Sequence, residues 1–541
     1  MPRRRPMPRL APFATAGERP QPPLRQQGMV LLVFFFLFGI PFFAAHYILL
    51  SLPYFWDELG QFIPTALDLW RDGAWVAHST LPNVHPPGVE VYLTAWFAAF
   101  GYSVTIVRVA MLALACLGLL GVFLLAVDLS SAAQGAPAFL PPLLMLVSPL
   151  FFMQGMMAQL DMPAMVFTVW ALFFFLRGNH FAAGAMSVAL VLTKETGVVA
   201  PVIFSIVLLL RERKKAAALI YLAAPAALAG WLLVLHHATG NWMGNAGFAH
   251  YNIEYSLNPV RLIFTFLRRI YYLFFAEFRW IATAALVLAI PRLALFRSRA
   301  WLVTGLVAAS NLLLMTLLGG AALERYLLPM LPLFYIAASI AFTALPKRLS
   351  FVAATLLLLG LFTNLFWNPP YPFPFENNLA MVDFVGLQQA AAEYAESNLP
   401  LSRIATAWPY TAGLARPDYG FVHRGLSVVE TNDFHRSSIA AIAPDKFDVL
   451  IVYTRTWAPE RGVVSLPLVR DFLTRYYEFA PEVSDDDCAQ LGLLPLVSWA
   501  RHGQKITIYQ RVFLPGTRSA KNTASFGRGS ATSYMRSKLP Y

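Results

Sequence analysis

The chain of 541 residues is 58% hydrophobic and only 13% charged, with a mean hydropathy of +0.56, whereas soluble domains carry about 25% charged residues. A soluble globular enzyme is excluded. Forty-one Lys and Arg against 29 Asp and Glu leave a formal charge of +12, which in so apolar a chain points to cytoplasmic loops and anionic lipid, not to nucleic acid.

Residues 1–28 are rich in Arg and Pro and read as a disordered cytoplasmic tail. The apolar stretch Met29 to Leu50 that follows is too long for a signal-peptide core and reads as an uncleaved first span. Apolar runs near the length needed to cross a bilayer recur at 29–50, 107–127, 138–156, 162–177, 181–194, 196–210, 216–236, 272–291, 300–318, 326–344 and 349–367. They predict about eleven crossings at ~20 residues each. The runs 181–194 and 196–210 are short and meet at Lys194 and Glu195, so a single broken hairpin is an equal reading there. With the N-terminus inside, Arg3, Arg4, Arg5, Arg9, Arg177, Arg211, Arg213, Lys214, Lys215, Arg292, Arg297, Arg299, Lys347 and Arg348 all fall on the cytoplasmic side, as the positive-inside rule requires. The loop 51–106, the loop near 237–261 and everything after Trp367 then lie outside.

Within the first outer loop, LGQFIPTALDLWRDGAW and VEVYLTAWFAAFG carry apolar residues at helical spacing and predict juxtamembrane helices. Residues 371–515 return to soluble-protein composition. AAAEYAESNLP predicts an amphipathic helix there, and RIATAW and FDVLIVYT predict buried strands, so this part is expected to be a small extracytoplasmic α/β domain. Residues 516–541 are rich in Ser, Arg and Lys and read as a disordered tail.

Ionisable side chains close to a span cost about 2.5–3.5 kcal/mol on insertion scales, so each needs a partner, a wet cavity or a role. Asp57 and Glu58 follow the first span. Neighbours on a helix point about 100° apart, so one carboxylate can face a cavity as a base while Glu58 supports it by holding a backbone amide or a neighbour; helix capping alone is the competing account. His85 precedes Pro86-Pro87, whose fixed backbone can aim it over a cavity, or simply make a turn. Asp161 starts a span with Pro163 in its first turn, which is equally capping chemistry. Lys194 sits with Glu195 between two apolar stretches, as an internal ion pair or a phosphate ligand. Arg325 and Tyr326 start a later span; Arg offers a planar fork suited to phosphate and Tyr a hydroxyl for a head group, or an interface anchor. His236 and His237 are adjacent, poorly placed to share one ion, and other ligands are not evident. No metal site and no cofactor is indicated, and no nucleotide-binding, HExxH or GxSxG motif is present.

One span, an outer Asp57-Glu58, paired prolines at 86–87, Asp-x-Pro at 161–163, Arg-Tyr-x-x-Pro at 325–329 and a final soluble region form an ordered set. This set resembles the GT-C superfamily of integral-membrane glycosyltransferases, close to the protein O-mannosyltransferase and aminoarabinose-transferase branch, glycosyltransferase family 39. The likeness covers about residues 29–370. It implies transfer of a sugar from a polyprenyl-phosphate carrier to a lipid, protein or glycan acceptor at the outer membrane face, usually with inversion. Asp57 matches the family's catalytic acidic residue and Asp161 its second acidic position. Arg325, Lys194, His85 and Tyr326 are then the residues for donor phosphate. The aminoarabinose transferases have a lysine before the paired prolines; here His85 stands in its place, which counts against a lipid A acceptor. The rival reading is a transporter or lipid flippase, which places charges near the midplane and shows related halves; this chain gathers its acids on one side and shows no clear repeat.

Overall fold

The computed structural model describes residues 24–131, 135–255, 257–318, 321, 323–457, 463–477 and 479–512. The two expected tails lie outside the described residues, except that Leu24 to Gly28 already belong to a helix, Leu24–Phe34. Six helical segments are long and apolar enough to cross a membrane: Gly28–Leu49, Val104–Ser130, Lys215–Thr239, Arg299–Leu318, Glu324–Phe342 and Lys347–Asn364. The chain is a multi-pass helical membrane protein.

The remaining apolar runs are helical too, but shorter or interrupted, and each interruption has a local cause. Residues 138–156 form Leu140–Val147 and Pro149–Gln154. The break is at Ser148, extended at ψ 121°, because a following proline disfavours helical backbone. The helices Asp161–Leu176 and His180–Thr193 are joined through Gly178 at φ +75°, a conformation glycine adopts without strain. The run expected at 272–291 straddles two helices, Pro259–Phe274 and Trp280–Ala289. Between them Glu277 and Phe278 take φ of +54° and +65°. This turn packs so tightly that a Cβ on Gly360 would lie 2.3 Å from the Phe278 ring.

Helix environment differs sharply along the chain. Glu324–Phe342 is 89% buried over its apolar window, against 22% for Gly28–Leu49. The former is therefore the central strut, and the latter turns Met29, Leu32 and Phe36 outward. In the loop after the first span, residues 58–72 and Gly88–Phe100 are helical as expected, ending at Gly73 (φ +66°) and Gly101 (φ +79°).

The C-terminal part forms a five-stranded mixed sheet. Its strands are β1 (Arg403–Ala407), β2 (Ser427–Thr431), β3 (Val449–Tyr453), β4 (Leu493–Arg501) and β5 (Gln504–Arg511), in the order β2-β1-β3-β5-β4. β1 pairs parallel with β2 and β3, with Ile404 opposite both Val428 and Val449. β5 runs antiparallel to β3 and to β4. The helix Ala380–Asn398 packs on the sheet, and Gln504 of β5 donates to the Ala380 carbonyl at 2.9 Å. The helix, β1 and β3 correspond to the expected segments; β2, β4 and β5 were not read from the sequence.

Candidate active site

The site is assembled from chain ends, where helices begin or stop beside the C-terminal sheet. Asp57 precedes the helical turn Glu58–Phe62, Asp161 opens Asp161–Leu176, Lys194 ends His180–Thr193, and Arg325 lies in the first turn of the central strut. All four converge. The Arg325 guanidinium pairs through Nη2 with Asp57, through Nε with Asp161 at 3.1 Å and through Nη1 with Glu376 at 2.9 Å. The Lys194 ammonium donates to the other oxygen of Asp161. Within this knot, the side chain of Asp57 is 20% exposed, against 4% for Asp161 and 3% for Glu376. Asp57 is thus the one carboxylate of the three that an incoming molecule can reach.

Tyr326 forms the floor for cations. Lys194 lies 4.4 Å from its ring centre, and Arg325 and Arg269 each 5.7 Å, a geometry in which ring quadrupole and positive charge attract. Arg269, on Pro259–Phe274, is buried, and none of its three guanidinium nitrogens has a hydrogen-bond partner among the described residues. Its neighbour Arg268 is held instead by Glu324 at 2.7 Å.

Glu58 has a different setting. It is fully buried and takes a bidentate pair from Arg108, while the amides of Phe55 and Ala158 donate to it at 3.0 and 2.6 Å. Arg108 also donates to the carbonyls of Pro53 and Met156 at 2.9 and 3.0 Å. Glu58 therefore ties the Asp57 loop to the helix Val104–Ser130 and to the segment before Asp161. His85 stands apart from the Arg325 knot: its Nδ1 lies 2.9 Å from Glu195, and its ring packs edge-on against Phe248. Its partner Glu195 follows Lys194 in the chain and feels the charge of that lysine.

Two residues of this site were not read from the sequence. Glu376 sits among prolines and asparagines after the last span, where no apolar run marks it. Burial, reinforced by Asp57 and Asp161, pushes its carboxyl up to about 7 despite Arg325. Arg269 belongs to an Arg-Arg pair inside the apolar run TFLRRIYYLFF, and that pair was the available signal.

No family model matches the sequence, and no curated protein does. Solved structures do match. ArnT from Cupriavidus metallidurans in the apo state superposes with a TM-score of 0.53 at 16% identity, over 90% of this chain and 98% of that one. The same protein bound to undecaprenyl phosphate gives 0.52 at 14%, over 89% and 98%. Coverage that is nearly complete on both sides means that the helical body and the C-terminal sheet correspond together. This chain shares the fold of these ArnT structures.

Proposed function

We propose that the protein transfers a sugar from a polyprenyl-phosphate carrier to an acceptor at the outer face of the cytoplasmic membrane, with inversion at the anomeric carbon. The observation that carries this reading is the buried Arg269 guanidinium beside Tyr326, without a hydrogen-bond partner among the described residues, next to a knot of carboxylates of which Asp57 is the most exposed. A guanidinium buried without acceptors is costly, and its planar fork matches the oxygens of a phosphate. The structural neighbour ArnT has been solved with undecaprenyl phosphate, a ligand of the same class.

In this mechanism the acceptor hydroxyl attacks the anomeric carbon while Asp57 takes its proton. The bond from that carbon to the phosphate oxygen breaks on the opposite side, and the phosphate leaves with the electron pair. Positive charge on the sugar peaks in an oxocarbenium-like transition state. Negative charge grows on the phosphate, where Arg269, and Arg325 and Lys194 through the same Tyr326 floor, lower its energy. Asp161 and Glu376 hold Arg325 in place. Glu58 and Arg108 fix the backbone from which Asp57 projects. The orientation with Asp57 and the C-terminal sheet outside is supported by the basic cluster Arg211 to Lys215, which falls on the opposite side of the predicted threading.

Asp57→Asn is expected to lower transfer from a labelled polyprenyl-phosphate sugar in membranes by at least about 100-fold, the low end for losing a general base, with expression unchanged. Wild-type transfer by that variant removes Asp57 from the role of base.

A further inference from the structure

Strands β1, β2 and β3 are parallel, so the residues that follow them share one edge of the sheet: Trp408 after β1, Asn432 after β2, Thr454 and Arg455 after β3. The carboxyl edge of parallel strands is where open α/β sheets hold ligands. Here that edge is turned onto the Asp57 loop. The Trp408 ring lies 6.2 Å from the Trp56 ring, edge-on, and a Cβ added to Gly60 would stand 2.2 Å from Trp408.

Arg455 occupies this seam. Its guanidinium lies 5.3 Å from the centre of the Trp56 ring and 6.0 Å from that of Phe434, and the residue is 6% exposed. Nη1 makes a long contact to the Asn432 carbonyl at 3.4 Å, while Nε and Nη2 have no hydrogen-bond partner among the described residues. The nearby Asp433 is already committed, accepting from the His435 amide at 2.9 Å and lying 3.3 Å from its Nδ1. Glu482 acts on Arg455 electrostatically, with no ion pair between the two. Ring contacts draw on the charge of a guanidinium but leave its in-plane N–H groups unsatisfied, and those groups call for an acceptor.

Trp56 adds a second pointer. It holds φ +38°, uncommon for a non-glycine residue, and it is half-buried like Asp57, the residue that follows it. An outlier of this kind beside a reacting group is a mark of function.

We propose that Arg455 binds an oxyanion carried by the sugar acceptor, a phosphate or a carboxylate, with the Trp56 ring packed against the acceptor between Arg455 and Asp57. The acceptor is then an anionic lipid or glycan, recognised by the C-terminal sheet, while the donor phosphate is held on the far side of Asp57 by Arg269. This rests on the glycosyltransferase reading above.

The test uses membranes containing the full chain, a labelled polyprenyl-phosphate sugar and graded dilutions of an envelope extract from the source cells. Labelled product is expected to bind an anion exchanger. Arg455→Gln is expected to raise the amount of extract needed for half-maximal transfer at least tenfold, with the half-saturating donor concentration within twofold of wild type. Arg455→Lys, which keeps the charge, is expected to retain at least half of the transfer and carries the comparison if the Gln variant does not accumulate. Product that partitions into butanol assigns the oxyanion to a lipid phosphate; product that stays in water assigns it to a glycan phosphate or carboxylate. A neutral product, or a Gln variant with wild-type acceptor dependence, overturns the proposal while leaving the transferase reading intact. Absence of any labelled product with wild type and Asp57→Asn alike overturns both.

Discussion

Arg325 is surrounded by more negative charge than it can neutralise. Three carboxylates meet one guanidinium and one ammonium, so the knot carries a net negative charge unless one acid takes a proton or another cation joins. Glu376 answers the first need. A buried carboxyl whose value rises from 4.5 to about 7 binds more protons in the folded than in the unfolded state between those limits, so folding stability falls as pH rises through that window. Thermal unfolding of the detergent-solubilised protein is therefore expected at lower temperature at pH 8 than at pH 5, and Glu376→Gln is expected to flatten this slope. Arg269 answers the second need. Its nitrogens have no hydrogen-bond partner among the described residues, so Arg269→Gln gives up a ring contact and some charge balance but also an unsatisfied buried guanidinium, and is expected to shift the unfolding temperature little. The same change is expected to raise the half-saturating donor concentration at least tenfold, about 1.4 kcal/mol or more, in a transfer assay. Asp57, Asp161, Lys194, Arg325 and Tyr326 were legible as candidates because a charge beside an apolar run is conspicuous. Glu376 was not, because its segment of prolines, asparagines and isolated aromatic residues lies beside no apolar run.

At the level of elements, helix-breaking residues decide where the site can form. The apolar runs were legible as helices from hydropathy alone, yet their lengths were not, since Ser148-Pro149 and the turn at Glu277-Phe278 divide segments that composition leaves continuous. The sheet was half legible. β1 and β3 are buried runs with a clear apolar signature, whereas β2 and β4 show mixed burial and so carry no simple alternation for a reader to find. His85 shows the limit of motif order: its position before paired prolines suggested a phosphate ligand, while the structure sets it against Glu195. The seam between sheet and membrane body depends on Gly60, where any side chain meets the Trp408 ring. Gly60→Ala is expected to cost about 1–3 kcal/mol, as overpacking does, seen as a lower unfolding temperature, and to reduce transfer by displacing the Asp57 loop. Gly28→Ala, where a Cβ meets nothing, is the matched control with no expected effect.

For the whole molecule, the arrangement places the candidate site where helix ends, the Asp57 loop and the sheet meet. Composition and the distribution of basic residues made a multi-pass helical body legible, because hydropathy and charge asymmetry are long-range averages that survive local irregularity. The meeting of Asp57, Asp161, Arg325 and Glu376 was not legible as geometry, since they are separated by up to hundreds of positions and only packing brings them together. Sidedness is open to direct measurement. In intact cells an impermeant thiol reagent is expected to label Leu401→Cys, which is 95% exposed on the C-terminal unit, and to spare Lys215→Cys. The reverse pattern would place the candidate site in the cytosol.

The almost complete enclosure of the helix Glu324–Phe342 also bears on how the protein is made. Asp57 and Asp161 leave the ribosome well before Arg325 does, so two of the carboxylates that receive its charge are already made when it arrives. A segment that opens with Glu-Arg and has little surface to offer to lipid gains its stability from company and not from solvation. Synthesis order thus brings the keystone last among the spans that must grip it, and the acid that closes the arch, Glu376, follows directly behind.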